Sequence, residues 1–408
     1  MKRKLMLLLL ALPAIVSAQS FADYFEDKTL RIDYTFSGNK DKQDIYVDEL
    51  HATPRWYGKR NRLAEVPYKG NGQIIVKDAA SELVIYRHSF SSLFQEWLST
   101  AEAGRVSKSF ENVFLIPYPK QPVTVTVELY DFHMKTTAAL THGVEPHDIL
   151  IQQERQQTDF QVLQQADDTT HCIHIAYVAE GYTKEEMPDF IHDCQIAVEA
   201  LFEHEPFRSQ RGRFNLIAVC SPSDESGTSI PHKGVWKSTA LHSHFDTFYS
   251  NRYLTTLHLK RLHDVLSGTP YEHIIILVNT DNYGGGGIYN SYNLSYTKGT
   301  NFRPVVVHEF GHSFGGLGDE YAYGDDDPMY FADTEPWEPN LTTKHDFHGK
   351  WENLMATGAA GLYEGGGYMT HGVWRGSEDC RMKTNEYPEF CAVCQQALKR
   401  LIDFYTTD

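Results

Sequence analysis

Two rhythms in the sequence predict the fold class: an all-β, sandwich-like N-terminal domain followed by an α/β (α+β) domain. From Phe21 to about Gln153, short runs of β-branched and aromatic residues alternate with polar ones, punctuated by Gly, Asn, Asp and Pro. From His171 onward, longer apolar runs read as buried strands separated by a helical pattern. A chain of 408 residues is long enough for two such domains.

The chain opens with Lys2, Arg3 and Lys4, an apolar run from Leu5 to Val16, and the small pair Ser17 and Ala18. That order is the pattern of a secretory signal cleaved near Ala18. The run is shorter than the roughly 18 to 20 residues of a spanning helix, which disfavours a retained anchor. No other run is apolar and long enough to span, so the mature chain is expected to be exported, to a periplasm, a cell surface or the medium, with no transmembrane segment. The net charge is −17, and more negative still without the three basic residues of the leader. This argues against a nucleic-acid partner; excess acid on an exported protein is read as a solubility feature.

In the first half, strands are expected at Leu30 to Phe36, Gln73 to Val76, Leu83 to Tyr86, Val113 to Pro117 and Val123 to Tyr130, with a short helix around Phe90 to Leu98. Trp56, Tyr57, Phe94, Trp97, Tyr118 and Phe132 are assigned to core and edge packing, the usual place of large aromatics, in preference to a binding platform. No cluster at ligand spacing occurs there. Residues 19–153 therefore form an accessory domain, and 154–168, rich in Gln and Asp, a linker.

In the second half (169–408), the run from His171 to Ala179 reads as a buried strand. Glu180-Gly181-Tyr182-Thr183 turns the chain, and Thr183 with Glu186 forms a capping box opening a helix that reaches Leu201. Strands follow at Phe214 to Val219 and His273 to Val278. The glycine-rich stretch from Tyr283 to Tyr292 fits an edge strand beside a cleft, with backbone free to hold an extended peptide.

The stretch from His308 to Tyr321 carries the chemistry. On a helix over Val305 to Phe314, His308 and His312 stand on one face, close enough to hold a single Zn²⁺. Glu309 sits beside the metal without ligating it and can act as general base on a water. The glycines after His312 break the helix and turn the chain back, delivering Asp319 as third ligand. Glu320 is the neighbour that could replace it, and Asp325 to Asp327 are more remote acidic candidates.

These motifs resemble the metzincin clan of zinc peptidases, and within it the IgA-peptidase-like family, the igalysins. The resemblance rests on His308-Glu-x-x-His312-x-x-x-Gly316-x-x-Asp319-Glu320, on Glu180-Gly181-Tyr182-Thr183, and on Cys380-Arg-Met382 followed by Phe390-Cys391-x-x-Cys394. It covers about Ile173 to Leu398. It implies a metzincin-like catalytic domain behind an N-terminal β-domain, with His308, His312 and Asp319 as zinc ligands, Glu309 as general base and Met382 packing beneath the site. The commonest metzincin spacing puts the third ligand at position 318, which is Gly318 here. The Tyr that some members carry two residues after the Met is replaced by Thr384, with Tyr387 nearby.

Six cysteines are present: Cys172, Cys194, Cys220, Cys380, Cys391 and Cys394. His371, Cys380, Cys391 and Cys394 could hold a second zinc, but an exported compartment favours a disulfide from Cys380 to Cys391 or Cys394. The expected function is that of a secreted zinc endopeptidase acting on a protein or peptide substrate with one catalytic Zn²⁺. The rival readings are an exported binding or adhesion protein with an inactive or structural metal site, and a zinc hydrolase of non-peptide bonds. Oligomeric state and cleavage preference are not encoded in any motif.

Overall fold

The computed structural model describes residues 20–155, 158–325 and 329–407. The expected signal, residues 1–18, lies outside the described residues, as do Asp326 and Asp327. The chain has a mixed α+β architecture with an N-terminal β-domain.

After a single helical turn, α1 (Phe21–Tyr24), the first half contributes β1 (Phe25–Gly38), β2 (Gln43–Pro54), β3 (Gly72–Asp78), β4 (Val84–Phe90), the short helix α2 (Leu93–Leu98), β5 (Lys108–Pro119), β6 (Val123–Tyr130), β7 (Thr136–Val144) and β8 (Gln152–Gln153). They build two four-stranded sheets, ordered β5-β1-β2-β8 and β4-β3-β6-β7. In β6 the alternation is strict: Val123, Val125, Val127 and Leu129 are buried and the residues between them half-buried. Every strand expected here is present. β2 and β7 were not expected, because few of their side chains are buried and no clean apolar alternation marks them. Trp56, Phe94, Trp97 and Tyr118 are buried in the core, whereas Phe132 lines the cleft described below.

The second half begins inside the expected linker. Phe160–Gln164 forms β9, the outermost strand of a six-stranded sheet. None of its side chains is fully buried and it carries no long apolar run, so pairing with its neighbour defines it. The chain continues through β10 (Ile173–Glu180), α3 (Met187–Phe202), β11 (Phe214–Val219), α4 (Leu259–Leu266), β12 (His273–Val278), β13 (Gly285–Ile288), β14 (Tyr292–Tyr296) and α5 (Phe302–Ser313). The sheet order is β13-β14-β12-β10-β11-β9, with β14, β12, β10 and β11 parallel and the outer strands antiparallel to their neighbours. A small sheet of β15 (Leu341–Thr342), β16 (Tyr363–Gly366) and β17 (Met369–Arg375), with α6 (Glu352–Ala356) and α7 (Ala392–Thr406), completes the chain.

All eight residues of β10 are buried, as a strand covered on both faces requires. Ile173, Ile175, Tyr177 and Ala179 face a core shared with α3, α5 and α7. Ala176 and Val178 face the opposite side, where the core runs on through α4 into the N-terminal sheets. The two halves are thus joined by continuous apolar packing. A buried ion pair reinforces the junction: Arg31, 2% exposed, binds Asp33 at 2.7 Å and reaches across to Asp264 at 2.7 Å. Among the described residues no helix is long and apolar enough to cross a membrane.

The Glu180-Gly181-Tyr182-Thr183 turn is structural. The Glu180 carboxylate is buried and accepts from Thr239 Oγ1 (2.6 Å) and from the Leu241 and Ser243 amides (both 2.8 Å). It thereby anchors the long connection between β11 and α4. Gly181 adopts φ +72°, and a Cβ there would stand 2.1 Å from the Gly227 carbonyl oxygen. Downstream, the Glu186 carboxylate accepts the Thr183 amide at 2.8 Å, as a capping box requires.

Candidate active site

His308, Glu309 and His312 lie on the last two turns of α5. The imidazoles are oriented from behind: His308 Nδ1 is 3.0 Å from the Arg381 carbonyl oxygen and His312 Nδ1 is 2.6 Å from that of Leu317. A carbonyl only accepts, so each Nδ1 carries the hydrogen and each Nε2 of the neutral ring presents a lone pair. The two Nε2 atoms face each other at 3.0 Å.

The helix ends at once. The Gly316 amide bonds the His312 carbonyl at 3.0 Å and Gly316 takes φ +59°, a left-handed cap that glycine accepts without strain. The chain turns back, and Asp319 Oδ1 arrives 3.1 Å from His308 Nε2 and 3.3 Å from His312 Nε2. The ligand atoms of these three side chains lie within 4.8 Å of one another.

Position 318 cannot carry a ligand here. The Gly318 amide and carbonyl are bracketed by the Asn340 side-chain amide at 2.8 and 2.9 Å. A Cβ on Gly318 would meet Leu341 Cδ1 at 2.5 Å. Glu320 turns the opposite way, toward Cys380, Cys391 and Cys394. Asp325 pairs with His371 on the surface at 2.8 Å, away from the imidazoles.

The donor set fits a divalent cation. Three lone-pair-bearing atoms converge, and among the described residues Asp319 Oδ1, buried, has no donor other than the two imidazoles that face it. Without a metal only a proton can relieve that convergence. Burial, the largest influence on His312, opposes its charged form, but Asp319 and Glu309 outweigh it and push its pKa up to about 9. Burial likewise works against the Asp319 carboxylate, yet the two imidazoles hold it well below the usual range. Glu309 is shifted upward, chiefly by burial, with the two histidines pulling the other way.

Several contributors carried no recognisable pattern in the sequence. Tyr368 donates its hydroxyl to Asp319 Oδ2, orienting the carboxylate from a strand pair far along the chain. Glu96, on α2 of the N-terminal domain, lines the same cleft, receives a hydrogen bond from Tyr253 and is pushed up to about 7 by burial. Tyr387 is 39% exposed and does not line the cleft; Thr384 and Asn385 do. Met382 is fully buried beneath α5, so close that a Cβ on Gly311 would stand 2.6 Å from its Sδ.

The cleft has a volume of about 1080 Å³ and is walled by both domains. One wall is β13, whose glycines let α5 pack directly on the strand: a Cβ on Gly285 would lie 2.5 Å from Glu309 Oε1. The expectation of a free outer edge on β13 is corrected at Gly285. The Leu254 amide donates to the Gly285 carbonyl (3.2 Å) and the Gly285 amide to the Arg252 carbonyl (3.3 Å). The tight loop containing Asp246 and Phe248 brings that segment alongside.

The cysteines correct a second expectation. All six are free. Cys380 Sγ and Cys394 Sγ stand 3.7 Å apart, where a disulfide needs about 2.05 Å. His371 is not among their neighbours.

An imidazole pair and a carboxylate around a cation-sized gap, with a second carboxylate alongside in an open cleft, are the equipment of a metal-dependent hydrolase. The chain belongs to the family described as IgA Peptidase M64, a family of metallopeptidases, which it matches over residues 162–360 and 355–402. Residues 20–141 match the description Peptidase M64 N-terminus. No curated protein matches the chain.

Proposed function

We propose that this chain is an exported zinc endopeptidase in which His308, His312 and Asp319 hold one catalytic Zn²⁺ and Glu309 is the general base. The observation that carries the reading is the convergence of the two imidazole nitrogens on the buried oxygen of Asp319, beside the half-buried Glu309 carboxylate in a cleft open to a polymer. When bound, zinc supplies a Lewis acid for the scissile carbonyl and lowers the pKa of water to about 7.

The protein's own residues supply the rest. The Arg381 and Leu317 carbonyls hold both imidazoles in the ligand tautomer, and Tyr368 holds Asp319. Glu309, kept by burial above the usual carboxylate range, takes a proton from the attacking water and returns it to the leaving amine. The cleft between the domains orients an extended protein chain. Residues 19–153 act as an accessory domain, and 169–408, metzincin-like with Met382 under the site, as the catalytic one. Protein is the substrate class; the family description names IgA, and among the described residues no side chain lining the cleft singles out an immunoglobulin.

The test is Glu309→Gln. Zinc content should be unchanged while hydrolysis of a denatured protein pool falls by about 10²- to 10⁴-fold, the usual share of general acid–base catalysis. Cleavage at the parental rate refutes the role of Glu309. Loss of wild-type activity to a chelator, with recovery on adding zinc, tests the metal. Export is tested by sequencing the N-terminus of the secreted protein, expected to begin at Gln19.

A further inference from the structure

Four ligand atoms meet in the buried space where the loop after α5, the turn before Met382 and the N-terminus of α7 converge. Glu320, Cys380, Cys391 and Cys394 are at most 6% exposed, and one ligand atom from each lies within 4.8 Å of all the others. Zinc–sulfur bonds of about 2.3 Å at tetrahedral angles place two sulfurs about 3.75 Å apart. Cys380 Sγ and Cys394 Sγ are 3.7 Å apart, and Cys394 Sγ is 3.1 Å from Glu320 Oε1.

The surroundings favour anionic ligands. Cys380 Sγ receives the amides of Cys391 (3.2 Å) and Met382 (3.5 Å), and Cys391 is the N-cap of α7, where unpaired amides and the helix dipole favour negative charge. The other oxygen of Glu320, Oε2, is buried with no hydrogen-bond partner. A carboxylate oxygen stripped of water and left unpaired is costly, and a cation relieves that deficit.

We propose that Glu320, Cys380, Cys391 and Cys394 form a second metal site, closed and structural, which takes a thiophilic divalent cation, zinc by its ligand set. Four protein ligands leave no position for water, so the site holds structure and does no chemistry. What it holds is the loop presenting Asp319. Glu320 follows Asp319 directly, and its amide bonds the Met382 carbonyl at 2.8 Å. The metal thereby pins that loop and the Met382 turn to α7. The site stands on its own geometry; only its effect on Asp319 rests on the function proposed above.

Elemental analysis of the purified full-length protein, never exposed to chelator, tests it. Wild type should hold about two zinc per chain, His308→Ala/His312→Ala about one, and Cys391→Ser/Cys394→Ser should lose one. Because the cysteine variant can fail to fold, the deciding measurements keep the cysteines native. Wild type unfolded in denaturant with chelator should titrate six free thiols, and Co²⁺ loaded into the histidine variant should show thiolate charge-transfer absorption. The proposal is overturned if the histidine variant holds no zinc, or if two of the three clustered cysteines prove oxidised to a pair. A wild type whose single zinc survives in the histidine variant refutes the catalytic assignment instead and leaves this site standing.

Discussion

Gly285→Ala probes the fit between β13 and the proposed base most directly. A methyl group at 285 would stand 2.5 Å from Glu309 Oε1 and 2.9 Å from its Cδ and Cγ. Ordinary contact begins near 3.4 Å, so the carboxylate must retreat by about 0.9 Å or the strand must move. The backbone of Gly285 lies outside the left-handed region, so alanine brings no conformational strain of its own. A displacement on the order of 1 Å in a reacting group costs about 10²-fold in rate, equivalent to about 2.7 kcal/mol in the barrier. The expected result is a kcat about 10²-fold below wild type, with zinc content and KM little changed. The overpacking itself is expected to cost about 1 to 3 kcal/mol of stability, so thermal unfolding is measured alongside. Gly143→Ala, where no atom lies within 4 Å of the added methyl, is the control. A Gly285→Ala enzyme with zinc bound and kcat within about threefold of wild type would refute the placement of Glu309 in the reaction.

Four further outcomes follow from the structure. In the metal-free protein the pKa of His312 is raised to about 9, against an unfolded value of about 6.5. Its stabilising contribution is complete below about 6.5 and lost as pH rises through 9; Tm of chelated protein should fall over that window, and a flat profile would refute the coupling to Asp319. The same proton competes with metal, so zinc Kd measured by competition should weaken as pH falls from 9 toward 6. Tyr368→Phe removes the donor to Asp319 Oδ2 and should weaken zinc binding by about 10- to 100-fold, the usual effect of losing an outer-shell partner; unchanged affinity would show that Asp319 needs no such support. Arg31→Ala leaves the buried Asp33 without its two guanidinium hydrogen bonds and with only His51, 3.7 Å away, as a close basic neighbour, and should destabilise the chain by about 3 to 5 kcal/mol in denaturant unfolding. A change under about 1 kcal/mol would show that apolar packing alone joins the domains.

Much of the candidate site was legible because its parts are local. His308, Glu309 and His312 sit within five residues on one helix, where spacing alone fixes their relative direction. The glycines that end the helix are equally local, and they implied that the chain must turn back. Buried strands such as β11 and β12 were legible because burial on both faces leaves a continuous apolar run. Short outer strands such as β9, with no fully buried side chain, were not, since their pairing is decided by the neighbour and not by their own residues.

By itself the sequence determined the mixed α+β class with its N-terminal β-domain, the facing of the two imidazoles, the adjacent carboxylate and the turn back of the chain soon after, all consequences of short-range periodicity and backbone preference. It left Asp319 and Glu320 unresolved, because adjacent residues differ in direction only through the contacts around them. Tertiary structure separates their directions: Asn340 and Leu341 lock Gly318, Asp319 reaches the imidazoles, and Glu320 turns to the cysteines. Long-range packing also brought Tyr368 and Glu96 to the cleft, covered the edge of β13 at Gly285, and gathered Cys380, Cys391 and Cys394 around a carboxylate instead of into a disulfide. Those outcomes depend on residues distant in the chain meeting in space, and no pattern confined to one segment encodes them.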